Sequence, residues 1–129
     1  MVNRNIHLIF VFKNSLTMKK HEFYAIVKPI LKREFNLQET LKLLQLNKTI
    51  FWSWGANSFI NYDNKGLLFK VSGMIHKGSV LITLAWDDTY TVDLFNTQGT
   101  HKKTLTNIYF DDLVNRIDSA IEKIDAYEF

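Results

Sequence analysis

The side chains that could carry acid–base or metal chemistry in this chain are few and lie far apart in sequence. They are His7, His21, His76, His101, Asp87, Asp88 and Asp93. No two histidines stand four residues apart, the spacing that places two metal ligands on one face of a helix. Asp87 and Asp88 fall in a turn-forming stretch, where aspartate side chains commonly bond to their own backbone. The pattern therefore predicts no catalytic residue and no metal-binding residue.

The sequence also lacks the motifs of covalent catalysis and of cofactor binding. No serine lies in a Gly-x-Ser-x-Gly setting, and the glycines are spaced by hairpins and not as a phosphate-binding loop. The chain has no cysteine, which excludes disulfides and thiolate chemistry and favours a reducing compartment such as the cytoplasm. We therefore expect a protein that is not an enzyme and that binds no cofactor. The enzymatic alternative requires a closed pocket with at least two of four residues, namely His76, Asp87, Asp93 and His101.

Two tryptophans form the most distinctive local string of the chain, Phe51–Trp52–Ser53–Trp54–Gly55. We predict a strand over Ile50–Trp54, which places Trp52 and Trp54 on the same strand face. Exposed on a sheet near lysines, the pair would form a platform for stacking bases or for holding a protein partner. The alternative is that they pack beneath helices, because small cores gain area by burying large aromatics. We favour the core for at least one of them.

Basic residues of the C-terminal two thirds could join the tryptophans on one surface. The resulting candidate binding surface comprises Trp52, Trp54, Lys70, Lys77, His101, Lys102 and Lys103. Single-stranded nucleic acid binding needs a basic groove lined by aromatic rings, to which Tyr62 or Tyr90 would contribute. No zinc-finger spacing, RNA-recognition aromatic pair or helix-turn-helix string accompanies these residues. Nucleic-acid binding is therefore an alternative that rests on composition alone.

Charge is distributed unevenly along the chain of 129 residues, whose net charge is +3. Residues 1–48 carry nine Lys/Arg and three acids, whereas residues 106–129 carry two Lys/Arg and six acids. The basic front half could attract phosphate backbones or an acidic protein. We favour the other interpretation, in which it complements the acidic end, within one monomer or across a dimer, because a two-fold interface pairs unlike patches reciprocally.

The middle of the chain has the pattern of an antiparallel meander. Besides Ile50–Trp54, the predicted strands are Ser58–Tyr62, Leu67–Gly73, Ser79–Trp86 and Tyr90–Phe95. In Ser79–Trp86 every second residue lies on one face of the strand, and that face is apolar: Val80, Ile82, Leu84 and Trp86. A period of two residues is typical of a pleated strand. The connections between these segments are short, and short connections join antiparallel neighbours.

Helical patterns flank this region on both sides. We predict a first helix over Met18–Phe35 that is kinked or divided at Pro29, and a second from Asn36 to Asn47, with Glu39 completing a capping box. A last helix is predicted over Ile108–Ile124, preceded by a polar loop over Asn96–Thr106. The N-terminal run Ile6–Phe12 predicts a strand, although residues 1–17 could be a dispensable extension. The run Ile6–Phe12 has seven residues, too few to span a bilayer, which needs roughly 20.

These patterns predict one α+β domain over residues 1–129. An antiparallel sheet of about five strands is packed on one face by two N-terminal helices and a C-terminal helix. The predicted core comprises Phe23, Ile26, Ile30, Leu41, Leu44, Val80, Ile82, Leu84, Leu113, Ile117 and Ile121. For function we expect a non-enzymatic binding module of the cytoplasm that engages another protein or a second copy of itself, with nucleic acid as the alternative partner and no membrane partner.

Overall fold

The fold is that of a computed structural model, which describes residues 20–121 of the chain. Its elements are α1 (Lys20–Val27), α2 (Leu37–Leu44), α3 (Lys48–Ser53), β1 (Asn57–Tyr62), β2 (Gly66–Ser72), β3 (Lys77–Leu84), β4 (Tyr90–Phe95), β5 (His101–Ile108), a 3-10 turn (Phe110–Asp112) and α4 (Leu113–Ile121). The predicted strand Ile6–Phe12, the proposed extension 1–17 and the predicted helix end at Ile124 lie outside the described residues.

The five strands form a single antiparallel sheet in the order β1-β2-β3-β4-β5. The predicted α+β class, antiparallel sheet and meander connectivity are therefore confirmed. Turn residues explain the tight hairpin between β1 and β2. Asp63 and Asn64 both have φ of 56°, and the Lys65 amide bonds to the Tyr62 carbonyl at 2.9 Å. Two successive residues with positive φ match the right-handed twist of the flanking strands, and Asn and Asp tolerate that conformation.

Both faces of the sheet are buried, because alternate residues of β2, β3 and β4 belong to two separate apolar clusters. On the first face Phe69, Ile82 and Val92 pack beneath α2, α3 and α4. On the second face Leu68 and Leu81 pack with Phe23 and Val27 of α1. The helical cover thus differs from the prediction in one respect, since α1 lies on the opposite face from the other helices.

The first helix is shorter than predicted and ends at Val27 in place of Phe35. Pro29 accounts for the early end, because it has no amide hydrogen and disfavours helical geometry at the residue before it. From Leu31 to Asn36 the chain has no regular secondary structure. Asn36 then caps α2 as predicted, with its side-chain oxygen accepting a hydrogen bond from the Glu39 amide at 3.1 Å.

The predicted strand Ile50–Trp54 is wrong, because these residues belong to α3 and the turn after it. Local capping decides the outcome. The Asn47 side chain accepts a hydrogen bond from the Ile50 amide at 3.2 Å and starts a new helix directly after α2. Ile, Phe and Trp favour strands only where a pleated surface receives them. Here helical spacing buries Phe51 and Trp54 and leaves Trp52 exposed.

The predicted loop Asn96–Thr106 is also wrong over most of its length, since residues from His101 onward form β5, the fifth strand. A tight turn makes this possible. The Asn96 side chain accepts hydrogen bonds from the amides of Gln98 and Thr100, both at 2.9 Å, and Gly99 has φ of 87°. Six of the eight β5 residues are exposed, so the strand carries no apolar alternation. An edge strand of this kind resembles a loop in sequence.

Two predicted boundaries around β3 and α4 need correction. Strand β3 ends at Leu84, and Trp86 lies in the following turn with 74% of its surface exposed, so it does not continue the buried face. The last helix begins at Leu113, because Ile108 ends β5 and a 3-10 turn intervenes. A 3-10 turn rotates successive side chains by more than an α-helix does. Phe110 consequently leaves the predicted apolar stripe and is 66% exposed.

Most of the predicted core is confirmed. The fully or almost fully buried members are Phe23, Leu44, Val80, Ile82, Leu113, Ile117 and Ile121. The members that are only partly buried, although packed against the core, are Ile26, Ile30, Leu41 and Leu84.

One polar contact joins the helical layer inside the first cluster. The Trp54 indole Nε1–H donates a hydrogen bond to Asp118 Oδ1 at 3.0 Å, and both residues are buried. A buried carboxylate without such a donor is destabilising, so this bond fixes the end of α3 against the middle of α4. At its other end α4 is held by the sheet, because the Ile121 carbonyl accepts the amides of Ile75 and His76.

The two tryptophans give a matched test of this packing. We expect Trp54→Phe to lower the free energy of unfolding by about 1–3 kcal/mol, because Asp118 then loses its donor inside the core. Trp52→Phe should change it by less than about 0.5 kcal/mol, since the side chain is 73% exposed. Urea denaturation of both variants measures the difference. Equal losses for the two would contradict the assignment of one ring to the core and the other to solvent.

Candidate functional site

The residues of the predicted binding surface do not form one surface. Trp54 is fully buried, and Trp52 projects into solvent from α3, in the helical layer over the first sheet face. Pairing across the strands places Lys70, Lys77 and His101 on the second face, toward the end of the sheet that holds the β4–β5 turn. Lys102 and Lys103 are exposed on β5. The lysines thus gather around one end of the sheet. Trp54 is attached to the same end, because its carbonyl accepts the Ser72 amide at 2.8 Å, but its ring is buried in the first cluster and is not available to a ligand.

Two of the four residues named for an enzymatic alternative do come together, with a threonine that sequence reasoning missed. His101 Nε2 lies 2.9 Å from Asp93 Oδ1, and Thr104 Oγ1 lies 2.5 Å from the same carboxylate oxygen. Thr104 Oγ1 is also 2.8 Å from His101 Nε2. The signal that could have found this cluster is the hairpin register, which pairs Asp93 with Thr104 across β4 and β5.

The geometry of this cluster differs from that of a nucleophile–histidine–carboxylate triad. In such a triad the hydroxyl and the carboxylate bind different nitrogens of the imidazole, so that a proton can pass from one to the other. Here both Thr104 and Asp93 approach Nε2, and the Thr104 hydroxyl donates to the carboxylate. The arrangement fastens the edge strand β5 to β4. Asp93 Oδ2 is buried and has no hydrogen-bond partner among the described residues.

Asp87, Asp88 and His76 occupy other places in the fold. Asp87 Oδ1 accepts hydrogen bonds from the Thr89 amide and hydroxyl at 3.1 and 2.7 Å, which confirms its predicted local turn role and lowers the pKa of Asp87. Asp88 forms an ion pair with Arg33 at 2.6 Å. His76 lies in the β2–β3 turn, where burial lowers the pKa of its imidazole, although contacts with the backbone of Ser79 and Phe95 act in the opposite direction.

An apolar groove separates the α2–α3 corner from the start of α4. Its volume is about 350 Å³, and its lining comprises Leu43, Leu46, Asn47, Ile50, Phe110, Asp111, Val114 and Asn115. Two of its large apolar side chains project into solvent, Leu46 with 79% and Phe110 with 66% of their surface exposed. We refer to these eight residues as the corner groove.

Local structure explains why the corner groove exists. Helix α2 ends at Leu44, and α3 begins after the Asn47 cap, so Leu46 lies in a short connection that neither helix buries. On the opposite wall the 3-10 turn presents Phe110 before α4 has started. The buried residues of α2, α3 and α4, including Leu44, Phe51 and Leu113, pack without either side chain. Neither Leu46 nor Phe110 was singled out by the sequence as a binding residue.

Charged side chains lie around the corner groove. Asp111 lines it on the α4 side, whereas Lys42 and Lys48 are exposed next to the lining residues Leu43 and Asn47 but do not line the groove themselves. Within residues 20–121 no ion pair joins Asp111 to either lysine. The groove therefore combines a mostly apolar lining and one acidic residue with two lysines beside its opposite wall.

Comparisons of the chain with protein-family models, with curated proteins and with solved structures found no match. None of the helices within residues 20–121 has the length and apolar character needed to cross a lipid bilayer. The functional assignment consequently depends on the geometry of the groove, the sheet and their charges.

The partly buried imidazole of His76 predicts a pH dependence of stability. Because burial lowers the folded-state pKa of His76 below its ordinary value of 6.5, the unfolded chain binds this proton more readily than the folded chain. Stability contributed by neutral His76 is therefore complete above that ordinary value and is lost as the pH falls through it. In His76→Gln we expect a smaller loss of stability between pH 7.5 and pH 5.5, measured by urea denaturation. The variant keeps the other three histidines, so an equal loss of stability in His76→Gln and in the wild type would contradict the account.

Proposed function

We propose that the protein is a non-enzymatic binding module that associates with a second copy of itself through the corner groove. The observation that carries this proposal is the exposure of Leu46 and Phe110 on the two walls of an apolar groove. Single exposed apolar side chains are common on protein surfaces, but apolar residues grouped around a concavity favour binding. Burying a side chain of this size contributes about 1.5–3 kcal/mol to association.

A second copy is the occupant that the charges favour. If a two-fold axis passes over the groove, the Lys48 wall of one protomer faces the Asp111 wall of its partner, and the same contact occurs twice. The charge of the whole sequence supports the same arrangement, since its first 48 residues are basic and its last 24 are acidic. Unlike charges at the rim of an apolar contact select the partner and its orientation more than they add affinity.

Two further observations support a binding role in the cytoplasm. In the Asp93–His101–Thr104 cluster the hydroxyl and the carboxylate approach the same imidazole nitrogen, which differs from the arrangement of a nucleophile–histidine–carboxylate triad. The absence of cysteine from the sequence fits a reducing compartment.

Nucleic acid is the alternative partner, and one observation favours it. Lys70, Lys77 and His101 share the second sheet face toward the end that also carries Lys102 and Lys103. Single-stranded binding requires aromatic rings in the same groove, and the tryptophans proposed for that role lie in the helical layer of the other face. For that reason self-association is the first proposal and nucleic-acid binding the second.

The groove proposal predicts a defined effect of surface substitutions. Leu46→Asp and Phe110→Ser should each weaken self-association at least tenfold in sedimentation-equilibrium measurements, because each removes apolar area from the contact. The free energy of unfolding of the monomer should be nearly unchanged, since both side chains are exposed. Trp52→Ser is the matched control, because Trp52 is 73% exposed but does not line the groove.

The oligomeric state and the affinity for oligonucleotides together separate the alternatives. A wild-type chain that stays monomeric at high protein concentration would exclude self-association through the groove. Oligonucleotide affinity that falls steeply with salt would instead favour the nucleic-acid alternative, because counterion release makes phosphate contacts salt-sensitive. Replacement of Lys102 and Lys103 by glutamine should abolish such binding and leave self-association intact.

A further inference from the structure

We propose that β5 accepts an extended acidic peptide segment as an additional strand of the sheet. In the described part of the chain β5 is the last strand of the order β1-β2-β3-β4-β5, so its outer edge has no neighbour there. Six of its eight residues are exposed, and its regular stretch is Lys103–Leu105, because the pairing with β4 shifts register on either side of these residues. A sheet edge of this kind offers unpaired backbone N–H and C=O groups to an incoming strand.

The strand is held rigidly enough to act as a template. The Asp93–His101–Thr104 cluster fastens the first half of β5 to β4, with the His101 ring packed edge-on against Phe95 at 5.3 Å between centroids. The second half is held by Leu105 beside Val92, and by the buried Ile108 opposite Tyr90. The incoming segment would therefore meet a preformed edge and would not have to order it.

Charge identifies the partner as acidic. Residues 96–108 include Lys102, Lys103 and His101 and contain no Asp or Glu. The neighbouring carboxylate, Asp93, is turned inward and is already bonded to His101 and Thr104. Lysines on an edge strand disfavour pairing with a basic strand, including β5 of a second copy, because like charges would then lie close together. With an acidic segment, the same lysines would lie beside carboxylates and would stabilise the pairing.

The charge beyond β5 also sets the position of the acidic residues in the partner. Asp111 and Asp112 follow the Ile108 end of the strand. They would repel acidic side chains there, whereas Lys102 and Lys103 attract them at the other end. The segment that fits best therefore has Asp or Glu residues at one end, beside the lysines, and neutral strand-forming residues such as Val and Thr beside Thr104 and Leu105, before the irregular backbone at Asn107.

The experiment uses two labelled synthetic peptides with the full-length protein. The first has three acidic residues followed by alternating Val and Thr, and the second has the same charges with prolines at alternate neutral positions. Proline has no amide hydrogen and cannot complete a ladder. Fluorescence anisotropy should give at least tenfold weaker binding for the proline peptide. It should give a comparable loss for the first peptide with the Lys102→Glu/Lys103→Glu variant, and hydrogen exchange of β5 amides should slow when the first peptide binds.

Several outcomes would overturn the proposal. Equal affinity for both peptides, or for an oligonucleotide of equal charge, would mean that the lysines attract any anion and that no strand is added. No binding of the first peptide would overturn it directly. If the glutamate variant does not fold, Lys102→Gln/Lys103→Gln takes its place. Leu46→Asp should bind the peptide like the wild type, so failure of this proposal and failure of the groove proposal are distinguishable.

Discussion

The hydrogen bond between the Trp54 indole and the Asp118 carboxylate is the contact on which the helical layer depends. It is buried at both ends, and it joins the residue that ends α3 to the middle of α4. A carboxylate inside an apolar cluster is destabilising unless a donor meets it, so this bond favours the relative position of α3 and α4 that brings the two side chains together. The carbonyl of Ile121, bonded to the β2–β3 turn, fixes the end of α4 in the same way.

The corner groove follows from these two attachments. Helix α4 is fixed at its middle and at its C-terminal end, both of which lie beyond the 3-10 turn that carries Phe110. Leu113 begins α4 inside the first cluster, whereas Phe110 and Leu46 lie outside that cluster, so the groove opens between these two side chains without loss of the core. An opening of about 350 Å³ remains there, and most of its lining residues are apolar. Leu46 and Phe110, on which the proposed self-association depends, are thus distinct from the buried residues that stabilise the helical layer.

The sheet could be predicted from the sequence because its central strands have a strong local pattern. Val80, Ile82 and the residues between them alternate in the way that a buried strand requires, and the turns between strands contain Asn, Asp and Gly. Residues 50–54 were misassigned because Ile, Phe and Trp are typical of strands, and only the Asn47 cap reveals the helix. Strand β5 was missed because an exposed edge strand needs no apolar alternation.

The candidate sites were harder to predict than the fold, for physical reasons that individual residues illustrate. Trp52 and Trp54 are two residues apart and would share one face of a strand. In the helical conformation that they adopt, Trp52 is exposed to solvent and Trp54 is buried in the core. Phe110 has the spacing of an α-helical stripe, and the 3-10 geometry removes it from that stripe. The Asp93–His101–Thr104 cluster depends on hairpin register, which a sequence fixes only once both strands are recognised.

The most direct test of the central claim is cross-linking between copies of this cysteine-free chain. Lys48→Cys and Asp111→Cys are prepared as separate proteins, mixed and treated with a short bismaleimide. Because each protein carries one thiol, a product that joins the two variants must cross between copies and cannot form within one chain. The account predicts efficient formation of that mixed dimer, and little product when Trp52→Cys replaces Lys48→Cys. Equal yields from both mixtures, or no mixed dimer at concentrations where the wild type self-associates, would contradict it.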